Sequence, residues 1–271
     1  MIWKCPNCNE PLQQDNRQLK CSNNHSFDIA KQGYTNLLLD NQKKSKNPGD
    51  NDEMLEARQR FLQAGFYDPL IKAIQPYIKP NHTIIDLGCG EGYYLRQLLT
   101  QEPDAKGYGI DIAKTGVKKA AQQSKALQPY IAYAVGSTYR APVIDHSCDV
   151  AISIFAPFDE QDVQRILKDE GLLIRVGPAT KHHQEIKEKL YQNAEEFKPA
   201  AIPEGFQITH QEELLYEIEL SGKALTEDLI PMTPFHWQGS QEAKAALAAL
   251  SSQKITVHFQ VDVLSAVPKS V

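Results

Sequence analysis

The stretch from residue 81 to residue 92, Asn-His-Thr-Ile-Ile-Asp-Leu-Gly-Cys-Gly-Glu-Gly, decides how this chain folds. Thr83 to Leu87 is a short apolar run. It passes directly into Gly88, Gly90 and Gly92, beyond which Tyr93 to Leu99 takes helical spacing. A strand that breaks into glycines and resumes as a helix is the crevice-forming unit of a doubly wound α/β sheet, where ligands bind beyond the carboxyl ends of strands. Glycine is needed there because the chain turns with backbone angles that other residues avoid and lets a ligand touch the main chain.

The spacing D-x-G-x-G-x-G, with Asp86 leading, differs from the G-x-G-x-x-G of dinucleotide sites and favours S-adenosylmethionine over NAD. The next apolar run, Gly107 to Ile110, ends in Asp111, placed to accept both ribose hydroxyls of an adenosine. The alternation continues outward. Strands are expected near 131–135, 149–154 and 172–176, and helices near 113–124, 160–167 and 182–196. Strand-like 206–220 and 255–263 flank a helix-like 240–250. Before the glycine turn, residues 52–75 read as helix with a break at Gly65. The fold class is therefore α/β, a Rossmann-like domain of about seven strands with an antiparallel last hairpin.

Toward the amino end the chemistry changes. Cys5, Cys8, Cys21 and His25 give C-x2-C-x12-C-x3-H, the spacing of a closed structural zinc site. Pro6 with Asn7, Asp15 with Asn16, and Ser22 to Asn24 supply the turns such a module needs. About thirty residues bury too little apolar surface to fold alone, and Zn2+ makes up the deficit. Lys43, Lys44, Lys46, Asn47, Pro48 and Gly49 form a polar, basic stretch, read as a linker or a phosphate-gripping loop. The expected division is thus a zinc-binding module with basic linker at 1–47 and an S-adenosylmethionine-dependent methyltransferase domain at 48–271.

Bulk properties agree. With 271 residues and 41% hydrophobic content the chain can bury a full α/β core, and a net charge of -5 argues against gripping nucleic acid with the whole surface. Residues 1–47 nevertheless hold seven Lys and Arg against four Asp and Glu, which biases such contact toward the amino end. Three of the five cysteines cluster, so a reducing, cytoplasmic setting is expected rather than a disulfide framework. The opening MIWKCPNCNE lacks a basic segment followed by an apolar run, and no stretch reaches the length of a membrane span.

Taken together these residues resemble the bacterial large-subunit ribosomal RNA guanine-(N1)-methyltransferases of the RlmA type. The resemblance rests on CPNCNEPL, the Cys21 to His25 knuckle with FDIAKQGYTNLL, PGDN-x-EM-x-x-AR at 48–58, DLGCGEGYY at 86–94, FAPF at 155–158 and MTPF-x-W at 232–237. It implies zinc ligation by Cys5, Cys8, Cys21 and His25, and cofactor contacts at Tyr67, Gly92, Tyr93 and His182. A 23S ribosomal RNA hairpin is the implied partner, and a homodimer is left open. Guanine N1 must lose a proton before it attacks a methyl group, so a general base is expected, with Asp159, His182 and His183 as candidates. Phe155, Pro157 and Phe158, and in a second loop Phe235 and Trp237, are read either as core or as faces for a splayed base. Arg58 and Arg60 are placed on a helix near the cofactor entrance. The glycine loop alone would equally serve a small-molecule methyltransferase with a zinc-stabilised appendage.

Overall fold

The computed structural model describes residues 1–39, 42, 51–190, 197–233, 235 and 240–267. The basic stretch from Lys43 to Gly49 and Trp237 lie outside the described residues. At the amino end β1 (Gln13–Asp15), β2 (Gln18–Lys20) and β3 (Ser26–Asp28) make a three-stranded antiparallel sheet. Asn16, at φ 54, takes the left-handed position of the first hairpin, a conformation that asparagine tolerates.

The chain then runs through β4 (Tyr34–Asn36) to α1 (Asp52–Gln63) and α2 (Asp68–Ile74). Asn51 caps α1 by accepting from the Met54 N–H, and Asp52 and Glu53 set negative charge against the positive end of its dipole. Gly65, at φ +81, ends that helical run at the expected break. Next come β5 (Thr83–Leu87), α3 (Tyr93–Gln101), β6 (Lys106–Asp111), α4 (Lys114–Gln123), β7 (Ile131–Val135), β8 (Cys148–Ile154), α5 (Glu160–Ile166), β9 (Leu167–Pro178) and α6 (Gln184–Leu190). β10 (Phe206–Leu220), α7 (Gly222–Ala224), α8 (Gln241–Ala248) and β11 (Gln253–Ala266) complete the chain.

Eight strands form the main sheet in the order β10-β11-β9-β8-β5-β6-β7-β4. Strands β4 to β9 run parallel, whereas β11 is antiparallel to both β9 and β10. Seven of the eight are the strands expected of the α/β domain. The eighth, β4, comes from residues before the expected boundary at 47, and pairs Tyr34 with Tyr133 and Asn36 with Val135.

Strand alternation divides the core by face. Ile84, Val150 and Ile152 pack with Phe61, Leu62, Leu70, Leu95 and Val117 from the helices. Ile85, Leu87, Ile110 and Ala151 pack on the other face with Val163 and Ile166 of α5, and with Ile2, Trp3, Leu12, Leu19 and Leu37. The amino-terminal module therefore stands where a further helix would cover the sheet. Trp3 is 1% exposed, meets Tyr108 edge-on at 5.5 Å, and bridges backbone to Val143.

Candidate active site and metal centre

The ligand atoms of Cys5, Cys8, Cys21 and His25 all lie within 4.8 Å of one another. Cys8 and Cys21 sulfurs are 3.7 Å apart, and His25 Nδ1 is 3.5 Å from the sulfurs of both Cys5 and Cys21. A tetrahedral ion with Zn–S bonds of about 2.3 Å and a Zn–N bond of about 2.05 Å requires S–S edges of roughly 3.8 Å and S–N edges of roughly 3.5 Å. The cluster has the shape of a zinc coordination shell. Hydrogen bonds from the Asn23 side chain and the Glu10 backbone pull the Cys8 thiol down to about 6, which favours the thiolate that binds metal. Burial pushes Cys5 up to about 11, a shift that a bound cation reverses.

The order of strands reverses between β5 and its neighbours β6 and β8, and a cavity of about 990 Å³ opens there. Gly88, at φ +81, could not carry a side chain, because a Cβ would stand 2.4 Å from that of Ala156. At Gly92 a Cβ would meet the Tyr133 hydroxyl at 2.6 Å. The turn is fastened to the next strand: Asp111 accepts from the Gly90 N–H at 2.8 Å and from the Ala113 N–H at 2.7 Å. These bonds fix the Asp111 carboxylate at the cavity wall, at the end of β6 where the ribose role is expected of it.

Three acids, Asp86, Glu91 and Asp111, line this end of the cavity. Asp86 is buried, its Oδ2 has no hydrogen-bond partner among the described residues, and desolvation with the nearby Asp111 and Glu91 pushes it up to about 8. Glu91 bonds Arg96 through Oε2 at 2.8 Å, while its Oε1 is likewise without a partner. Crowded, desolvated carboxylates call for a cationic ligand, and S-adenosylmethionine, with its sulfonium and ammonium groups, meets that demand where a pyrophosphate would not.

Across the cavity Tyr67 is fully buried, and its hydroxyl lies 3.1 Å from His183 Nε2. Tyr93 also lines the cavity and donates to Asp68 at 3.1 Å. His182 and His183 stack at 3.7 Å, and His183 enters the stack at φ 53, which explains why α6 begins at Gln184 rather than at 182. The expected cofactor residues Tyr67, Asp86, Gly88, Gly90, Tyr93, Asp111 and His182 all border this one space, and Gly92 caps the helix beside it.

The three candidate bases are placed differently. Asp159 accepts from the Asp162 N–H as the cap of α5 and is not among the residues that line the cavity. His182 Nδ1 accepts from the His258 N–H, so its proton sits on Nε2 and it faces a ligand as a donor. Burial drives His182 down to about 3 and His183 well below the ordinary imidazole range, so both rings are neutral at physiological pH.

Other expectations divide. Phe235 is buried and borders the cavity, whereas Phe158 packs into the core on the face covered by the amino-terminal module. Arg58 reaches the cavity wall, but Arg60 turns away to Asp228 at 2.7 Å. Among the cavity residues that the sequence reading did not single out are Glu91, Tyr139, Phe197, Arg175 and Asp262. Arg175 and Asp262 did leave a signal, each being a charge inside an apolar strand. They face each other in register, and Asp262 accepts from Arg175, Gln211 and Gln260.

Comparison with known proteins agrees with this geometry. A family described as "RlmA, N-terminal", a zinc ribbon, matches residues 3–46, and one described as "Methyltransferase domain" matches residues 84–171. YxjB of Bacillus subtilis (strain 168), which bears a 23S rRNA (guanine-N(1)-)-methyltransferase name, is 34% identical over 97% of this chain and 96% of its own. The 23S rRNA (guanine(748)-N(1))-methyltransferase of Streptomyces fradiae is 30% identical over 91% of this chain and 90% of its own. Among solved structures, the protein in "Conversion of a Disulfide Bond into a Thioacetal Group during Echinomycin Biosynthesis" superposes with a TM-score of 0.50 at 15% identity. That superposition covers 74% of this chain and 83% of the other, a likeness of fold alone.

Proposed function

This chain belongs to the 23S rRNA (guanine-N(1)-)-methyltransferases, and from that membership we propose that it methylates N1 of a guanine in a hairpin of 23S ribosomal RNA, in the cytoplasm. What carries the reading is that one chain holds both parts, the four-ligand ribbon and the acid-lined cavity, within a likeness spanning 97% of its length. S-adenosylmethionine, when bound, supplies an activated methyl carbon, so the protein's own work is to hold, orient and exclude water.

In this reading Cys5, Cys8, Cys21 and His25 hold Zn2+ with no position left for water, which makes the metal structural. Asp111 takes the ribose hydroxyls, and Gly88, Gly90 and Gly92 let the main chain approach the nucleoside. Asp86 and Glu91 face its positive charge. Tyr67, Tyr93 and His182 complete the wall, His182 as a donor through Nε2.

The test is transfer of labelled methyl from S-adenosylmethionine to 23S ribosomal RNA, followed by mapping of the modified nucleotide. Label at guanine N1 is the expected result. Label found only on a metabolite would replace this reading with a small-molecule methyltransferase.

A further inference from the structure

Among the described residues that line the cavity, two aromatic side chains are exposed, Phe155 at 47% and Tyr139 at 56%. They stand on the loops that leave β8 and β7, and a hydrogen bond of 2.7 Å from Thr138 Oγ1 to the Pro157 carbonyl ties those loops together. A large apolar ring that served only to fill the core would be buried, as Phe235 and Phe259 are.

Phe155 also holds a backbone conformation that phenylalanine avoids, φ 54. Such a conformation persists only where the surroundings impose it, and it concentrates at functional sites. Here the Phe155 N–H donates to the Val176 carbonyl at 3.0 Å, and Ser153 Oγ donates to the Ala156 carbonyl at 2.8 Å. The strained turn points the ring at the cavity mouth. Underneath it His182 lies nearly parallel, at 5.9 Å and 26°, while Phe259 meets it edge-on at 5.5 Å. The ring is thus backed by a neutral imidazole while the residue as a whole stays exposed.

We propose that this free face of Phe155, backed by His182 and flanked by Tyr139, is the platform on which the acceptor base stacks while its ring nitrogen faces the methyl donor. The proposal rests on the reading that a guanine in RNA is the substrate. A base taken out of its helix loses its stacking partners, and an aromatic ring fixed at the pocket mouth replaces one of them.

Two measurements on the full-length zinc-loaded protein test it, once wild-type protein has been shown to label the RNA; no label there would fail the function, not the platform. Phe155→Gly fits the positive φ, so it removes the ring without adding backbone strain, and an unchanged far-ultraviolet circular dichroism spectrum confirms that the variant is folded. It is expected to lower kcat/KM for the RNA about 10- to 100-fold, the range for loss of one base–aromatic stack. S-adenosylmethionine affinity should stay within about twofold, and Phe155→Tyr should restore kcat/KM to within a few fold of wild type. The second measurement places 2-aminopurine at the target position of an RNA hairpin. Stacking quenches its fluorescence when wild-type protein binds, and the Phe155→Gly complex should be several-fold brighter. Equal brightness in the two complexes, an unchanged kcat/KM, or a loss of cofactor affinity matching the loss of activity would each overturn the platform.

Discussion

Asp86 is the last residue but one of the buried strand β5, and what it does depends on charge that the protein itself does not provide. Its carboxyl is held up to about 8 mainly by burial, with Asp111 and Glu91 adding to the shift. The folded form therefore binds this proton more tightly than the unfolded chain does. Stability of the ligand-free protein should fall as pH rises from about 4 to about 8 and level off above that, and Asp86→Asn should flatten the slope, measured by urea denaturation across that range. A cationic ligand reverses the preference, so calorimetry in buffers of different ionisation enthalpy should find proton release when S-adenosylmethionine binds at pH 7, and less of it in Asp86→Asn. The two histidines give the opposite expectation. Both are neutral and buried, so the pH–rate profile of methyl transfer should have no limb in the imidazole range of about 5 to 7; a limb removed by His182→Gln would contradict this assignment. Asp86 and Asp111 could be picked out in the sequence because glycine spacing and strand ends fix where they stand, whereas Glu91 was not singled out. The neutrality of the histidines was not legible there, since it comes first from burial, to which Phe259 of β11 contributes, and only then from the charge of Lys187 one turn along α6.

Among the elements, the last hairpin was readable to the residue at 206–220, where a long run of alternating side chains has no competing helical pattern. β9 extends well beyond the expected 172–176. Its first residues, Leu167 to Gly171, carry a Lys-Asp-Glu run that hides the strand. β4 could not be read at all, because three residues carry no periodicity and the partner that makes them a strand is β7. That pairing ties metal to catalysis at the level of elements. Removing zinc with a chelator, or changing Cys8→Ser, should unfold the ribbon, free Trp3 from Tyr108 and shift its emission to the red. The loss should be large, since zinc is worth roughly 10 to 16 kcal/mol to isolated ribbons and fingers. An emission maximum unchanged on complete metal removal would show that packing alone holds the ribbon in place.

For the whole molecule, the ribbon is part of the core of the catalytic sheet. Ile2, Trp3, Leu12, Leu19 and Leu37 are each 5% exposed or less, against a sheet face that α5 alone does not cover. Burial of each is worth about 1.5 to 3 kcal/mol, so together they match a typical net stability of about 5 to 15 kcal/mol. Removing residues 1–47 should accordingly give an insoluble or markedly less stable protein, seen as a lowered Tm or loss into the pellet; a truncated chain with wild-type Tm would refute the shared core. The same pairing sets an order of events during synthesis. Tyr34 must wait for Tyr133, about a hundred positions later, and at about 5 to 20 residues per second the finished ribbon stands alone for roughly 5 to 20 s as the nascent chain lengthens. All four metal ligands precede residue 26, so loading asks nothing of the catalytic half, and a ribbon folded on its metal would offer β4 as a template edge for the sheet that follows.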